Sequence, residues 1–151
     1  MKHWLKIIAA IFAVTTILFF RLWIDAVETF YVDKVENCQR HAEDAAAHLK
    51  GYANFKDVNG DFYIGQYWCA VSSFYAFMDA LHFLPDDGGW NTAAYKDCQV
   101  IYEAMTLAPD RVLAHLDEAL AALELARKDY DSPETRRALN QLSYDLQYVW
   151  K

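Results

Sequence analysis

Helix breakers are scarce in this chain, with three prolines and five glycines in 151 residues. That scarcity excludes a Pro-rich stalk and a collagen-like repeat, and it argues against the turn-dense chain of a β-sandwich. Signature loops are missing as well. There is no Gly-rich phosphate loop, no Gly-x-Ser-x-Gly and no His-Glu-x-x-His, the common sequence routes to nucleotide binding, serine hydrolysis and zinc proteolysis. Without a Cys-x-x-Cys-His, covalent haem has no attachment point. The expectation is a protein without catalytic, cofactor-binding or metal-binding residues.

What the chain does have is one long apolar run. Ile7–Phe20 carries no charge, and its only polar groups are the Thr15 and Thr16 hydroxyls, which can bond back to helix carbonyls. Extended to Ile24 it reaches roughly 18 residues, about 27 Å of helix, the length a bilayer core requires. Ile7, Ile11, Phe12, Leu18, Phe19 and Phe20 are its lipid-facing candidates. Trp4 and Trp23 stand where interfacial aromatics belong, and Arg21 is near enough to the end to snorkel. Lys2 and Lys6 precede the run, while Asp25, Glu28 and Asp33 follow it. That asymmetry predicts a single-pass anchor over residues 1–24 of a bacterial inner membrane, N-terminus in the cytoplasm, with residues 25–151 as a periplasmic domain. Two other readings stand beside it. One is a cleaved signal peptide, whose best site after Ala26 has the large Ile24 at the minus-three position. The other is a buried core helix.

The domain after the anchor is acidic. Lys2, Lys6 and Arg21 belong to the anchor, leaving 11 of the 14 basic residues against all 21 acids, a net charge near −10. Such a surface excludes nucleic acid as a partner and disfavours lying flat on an anionic membrane. It is a solvated face or a docking surface for a basic partner. Three cysteines, Cys38, Cys69 and Cys98, allow one intramolecular disulfide of unknown pairing in an oxidising compartment, three buried thiols, or an intermolecular bridge.

Periodicity predicts an all-α fold, a compact bundle of about four to five helices behind the membrane helix. Tyr31, Val35, Cys38, Ala42, Ala45 and Leu49 form a heptad-like stripe that carries the first helix to Lys50, with Gly51 to end it. Residues 51–63, centred on Asn59-Gly60, read as a loop or short hairpin. Ile64–Leu84 is a second apolar stretch, either a central buried helix or a second span. Its small residues, Gly65, Cys69, Ser72, Ala76 and Ala80, form a stripe that lets a neighbour approach closely. Gln66, Asp79 and His82 make it a costly span. A third helix is expected over Ala93–Leu107, with Tyr95, Cys98, Val100, Ile101 and Met105 inward. The fourth starts at Pro109 with Leu113, Leu116, Leu120 and Leu123 inward. Ser132-Pro133-Glu134 opens the fifth, with Leu139, Leu142, Leu146 and Val149 inward.

Polar constellations are weak. His41 and His48 lie two turns apart, about 10 Å along the axis, which is too far for one ion. Asp57, Asn59 and Asp61 imitate the opening of a calcium loop, but Phe62 replaces the required Gly and Trp68 the closing Glu. Ser72, Ser73 and His82 do not define a triad, and Asp79 with Glu103 reads as two solvated carboxylates.

Aromatic content, 16% of residues, is generous. Trp68, Phe74, Tyr75, Phe77, Trp90 and Tyr95 read mostly as core, while Tyr144, Tyr148 and Trp150 cluster at the C-terminus as the expected partner-binding patch. The leading functional reading is a membrane-anchored, non-enzymatic module that binds a protein partner, either an accessory subunit of a membrane complex or an inhibitor of immunity type. One alternative is a helical carrier of a small ligand or cofactor, with Trp68, Phe74 and Tyr95 around a pocket. The other is a two-span membrane subunit. The run Cys69, Asp79-Ala80-Leu81, Pro109 and Ala119-Leu120 loosely resembles small periplasmic immunity proteins of secretion-system effectors, which are helical, cysteine-bearing domains. The spacing departs from theirs and the glycines expected before Asp79 are missing, so the resemblance implies no membership.

Overall fold

The computed structural model describes the backbone over residues 2–55, 61–84 and 90–147. Within it run α1 (Lys2–Phe55), α2 (Asp61–His82), α3 (Trp90–Leu107), α4 (Pro109–Ala114), α5 (Leu116–Lys128) and α6 (Pro133–Gln147). No strand occurs among the described residues, so the fold is all-α. The chain divides into two compact units, Met1–Asp33 and Lys34–Lys151.

The first unit is the N-terminal part of α1. Thr15 Oγ1 donates to the Ile11 carbonyl at 3.0 Å and Thr16 Oγ1 to the Phe12 carbonyl at 2.8 Å, so neither hydroxyl stays unpaired in apolar surroundings. Ile7, Ile11, Phe12, Leu18, Phe19, Phe20 and Trp23 are all exposed, and Phe20 and Trp23 pack ring to ring at 5.9 Å. Among the described residues, no helix is long and apolar enough to cross a membrane. From Ile11 onward the run meets Arg21, Asp25 and Glu28 within its next five turns. The two-span alternative meets the same limit at α2, whose Gln66 and Asp79 dilute the apolar residues.

The second unit is the bundle. Cys38, Ala42, Ala45 and Leu49 of α1 are buried as the heptad stripe predicts, with Val35 partly buried against them and Tyr31 exposed. Helix α3 is central, packing against α2 on one side and α6 on another, while α6 also packs against α5. The largest sealed side chains are Phe74, Phe77, Leu49 and Leu81, each worth roughly 1.5–3 kcal/mol of apolar burial. On the α3–α6 seam, Ser143 Oγ donates to Asp97 Oδ1 at 2.7 Å, which satisfies a buried hydroxyl.

Several boundaries differ from the sequence expectation, each for a physical reason. Gly51 does not end the first helix. A side chain there would meet Gln66 Oε1 at 3.1 Å, and that oxygen bonds His48 Nδ1 at 2.8 Å, so the glycine gives α2 close access to α1. The loop or hairpin expected over 51–63 is corrected accordingly. Residues 51–55 and 61–63 are helical, while Asp57, Asn59 and Gly60 lie outside the described residues.

The fourth helix is broken at His115 (φ −111°, ψ 31°) into α4 and α5, and the His115 N–H bonds the carbonyls of Arg111 and Val112. The buried face carries on across the break, with Val112, Ala119 and Ala126 at seven-residue spacing. Leu113, Leu116 and Leu120 are only half-buried, and Val112, Ala119, Ala122 and Ala126 join Leu123 in the core. Pro109 biases Ala108 away from helical angles (φ −140°, ψ 57°), which separates α3 from α4. The start of α6 matches its expectation, with Ser132 Oγ accepting from the Thr135 N–H at 3.1 Å. Leu139, Leu142 and Leu146 are buried, and Val149 lies outside the described residues.

Candidate partner-binding surface

Helix α2 sorts its residues by angle. Tyr67, Ala70, Phe74, Phe77, Met78 and Leu81 turn into the core. On the other side, Ile64, Trp68, Tyr75 and Asp79 follow one another at helical spacing and all are exposed. Trp68 retains 53% of its surface and Tyr75 49%. Both were expected in the core. The signal that separates them is angular, since they share a face with Ser72 and Asp79, whereas Phe74 and Phe77 share one with Ala70 and Leu81.

Neighbouring groups hold the two outward aromatics in place. The hydroxyl of Tyr67, the residue before Trp68, donates to the Met105 carbonyl at 2.9 Å and ties α2 to α3. Burial first, then the Tyr52 hydroxyl and Asp110, push the Tyr67 phenol well above its ordinary pKa, so it remains a neutral donor. The Tyr67 and Trp68 rings meet edge-on at 6.1 Å. Tyr75 leans on Tyr102 of α3 at 5.3 Å, and one end of the seam is closed by His82 against Tyr95 at 5.1 Å. The outer α2–α3 surface is thus an aromatic row. Asp79 and Glu103 are exposed on these two helices, and Gln99 Nε2 donates to Glu103 at 3.3 Å. Neither carboxylate joins an ion pair among the described residues, where the pairs are Lys50–Glu124, Arg127–Glu124 and Arg136–Asp131.

Of the patch expected at the C-terminus, Tyr144 is exposed on α6, at 57% of its surface. Tyr148 and Trp150 lie outside the described residues. The residues expected around a carrier pocket do not converge: Trp68 faces outward, Phe74 is sealed in the core and Tyr95 stacks on His82. A cleft lined by Glu36, Asn37, Gln39, Arg40, Glu43 and Arg127 is open and polar. None of the aromatics named for a carrier lines it.

The disulfide expectation is corrected. All three cysteines are free thiols, Cys38 and Cys98 buried and Cys69 exposed. Burial pushes the Cys38 thiol up to about 12 and raises the Cys98 thiol well above its ordinary range, with Cys38 and Asp97 adding to the effect at Cys98. These two thiols are inert core residues. Among the described residues no group of three or more His, Cys, Asp and Glu could hold a metal ion.

Compared with known proteins, the chain matches no family model, no curated protein and no solved structure.

Proposed function

We propose that the chain is a membrane-tethered helical module that binds a protein partner, as an accessory subunit of a membrane complex or as an inhibitor of immunity type. The N-terminal helix is the tether. The body works on the extracytoplasmic side of a bacterial inner membrane, with the N-terminus in the cytoplasm. The supporting observation is the apolar surface of α1 between Trp4 and Ile24. Its described large apolar side chains remain between 38% and 73% exposed, and they point to every side of the helix. A helix apolar all round is stable in hydrocarbon or inside another apolar body, not in water. Arg21, Asp25 and Glu28 stand at the end of that surface, where a helix leaving lipid meets headgroups and water. The acidic body and its outward Trp and Tyr side chains suit protein contact.

The tether is tested by alkaline carbonate extraction of bacterial membranes carrying the chain with a C-terminal tag, followed by protease treatment of spheroplasts. Retention in the pellet with the tag digested from outside is the expected result. Release into the supernatant sinks the tether, and a protected tag sinks the topology. Partner binding is tested by purification through the same tag in mild detergent, with a stoichiometric second protein expected.

A further inference from the structure

The tether reading leaves open which lipids contact the helix, and one face of α1 narrows the choice. Arg21, Ile24, Asp25 and Glu28 share that face at helical spacing and line an open recess of about 170 Å³. We infer that the recess seats a phospholipid headgroup carrying a phosphate and a primary ammonium, as in phosphatidylethanolamine; the inference rests on the tether reading and adds the lipid class.

The three charges of this face are not neutralised within the chain. Arg21 and Asp25 stand at i and i+4, a spacing at which opposite charges can meet. Among the described residues the ion pairs are Lys50–Glu124, Arg127–Glu124 and Arg136–Asp131, and Arg21, Asp25 and Glu28 are all exposed. From Ile7 to Val32 these three are the only charged residues, so no other side chain in that stretch alters the balance.

Their order along the axis matches the order of groups in the headgroup. Arg21 is embedded in the apolar surface that ends at Ile24, while Asp25 lies about 6 Å and Glu28 about 10.5 Å further along the helix. In a phosphoglyceride the phosphate is attached to the glycerol that holds the acyl chains, and the ammonium lies beyond it. A lipid beside the helix therefore brings its phosphate to the guanidinium, which can hold it through paired N–H···O bonds, and its ammonium to the two carboxylates. Ile24 supplies an apolar wall to the same recess.

Charge and donor count choose among headgroups. An anionic headgroup such as phosphatidylglycerol satisfies Arg21 but sets its negative charge beside Asp25 and Glu28. The quaternary ammonium of phosphatidylcholine has the right charge and no N–H for the carboxylates to accept. A primary ammonium has both.

The test uses the full chain in detergent micelles with an equimolar mixture of phosphatidylethanolamine, phosphatidylcholine and phosphatidylglycerol of identical acyl chains. Retained lipid is counted by native mass spectrometry. Phosphatidylethanolamine is expected in roughly fivefold excess over each of the others. Asp25→Asn with Glu28→Gln should bring it level with phosphatidylcholine, and Arg21→Gln should weaken retention of all three lipids. The altered side chains are exposed and belong to the first compact unit, so unchanged circular dichroism and bundle unfolding certify each variant as folded. Equal retention by the wild type, preference for phosphatidylglycerol, or a preference that survives the double variant overturns the inference. So does displacement of the lipid by an equal concentration of glycerophosphoethanolamine, since a soluble phosphate ester is then the ligand. Flotation with phosphatidylcholine liposomes separates the two readings. A chain that floats but shows no headgroup preference keeps the tether and loses the site; a chain that does not float loses the tether, and the site with it.

Discussion

The two parts of α1 belong to one helix and meet opposite fates. From Ile7 to Ile24 the helix is far more apolar, yet its Ile, Leu and Phe side chains are exposed. From Cys38 to Leu49 it carries only a thin apolar stripe of cysteine, alanine and leucine, and that stripe is buried almost completely. Hydrophobicity sets how strongly a side chain seeks cover. Whether cover exists inside the chain depends on pattern: a stripe offers one seam to neighbouring helices, whereas an apolar surface on all sides needs a surrounding medium.

A matched pair of substitutions tests that contrast most strongly. Leu49→Ala opens a cavity in the bundle and should cost about 2–5 kcal/mol of unfolding free energy, read by urea titration in detergent micelles. Leu18→Ala, the same chemical change in the exposed part, should leave the bundle within about 0.5 kcal/mol of wild type. Equal effects would break the comparison.

A pH series sharpens it from the buried side. The Cys38 pKa lies near 12 in the folded chain against 9.0 for an ordinary thiol. Below pH 9 both states hold the proton and the stabilisation is complete. As pH rises from there, the unfolded chain releases the proton and the folded chain keeps it, so stability falls through the window up to about 12. Cys98, also raised, adds to the same decline. Cys38→Ala should flatten the alkaline slope in the same urea titrations, and an unchanged slope would count against a sealed thiol.

The smallest effect is expected at the solvent edge of the buried part. Lys50 bonds Glu124, which also accepts from Arg127 Nε at 3.0 Å; these bonds hold the Glu124 carboxyl below its ordinary pKa. That contribution is present above the usual carboxylate range and is lost as pH falls through the depressed value. All three side chains are about a third or more exposed, so solvent screens the network. Lys50→Met should change stability by no more than about 0.5 kcal/mol, less at high salt.

The all-α class, the stripe of α1 and the start of α6 were legible in the sequence because each rests on local chemistry: spacing, capping and the proline at N1. The inward face of α4 and α5 was not, since Leu113, Leu116 and Leu120 repeat with the same helical period as Val112, Ala119, Ala122 and Ala126, one position apart, and packing decides between the two registers. Residues 112–126 therefore bury alanines where leucines were expected. The outward face of α2 was partly legible. Trp68 and Tyr75 look like core by type, and only their angle relative to Asp79 and Phe74 separates them from it. The C-terminal patch rests on composition alone; of it, Tyr144 is exposed on α6.

The three thiols bear on how the protein is made. While the chain is still unfolded, an oxidant meets Cys38, Cys69 and Cys98 on equal terms. Once the bundle closes, only Cys69 remains within reach. Brief N-ethylmaleimide treatment should therefore add one label to the native protein and three after unfolding in urea, counted by intact mass. In an oxidising compartment, the fate of the sulfur chemistry becomes a race between closure of the bundle and the first encounter with a disulfide donor.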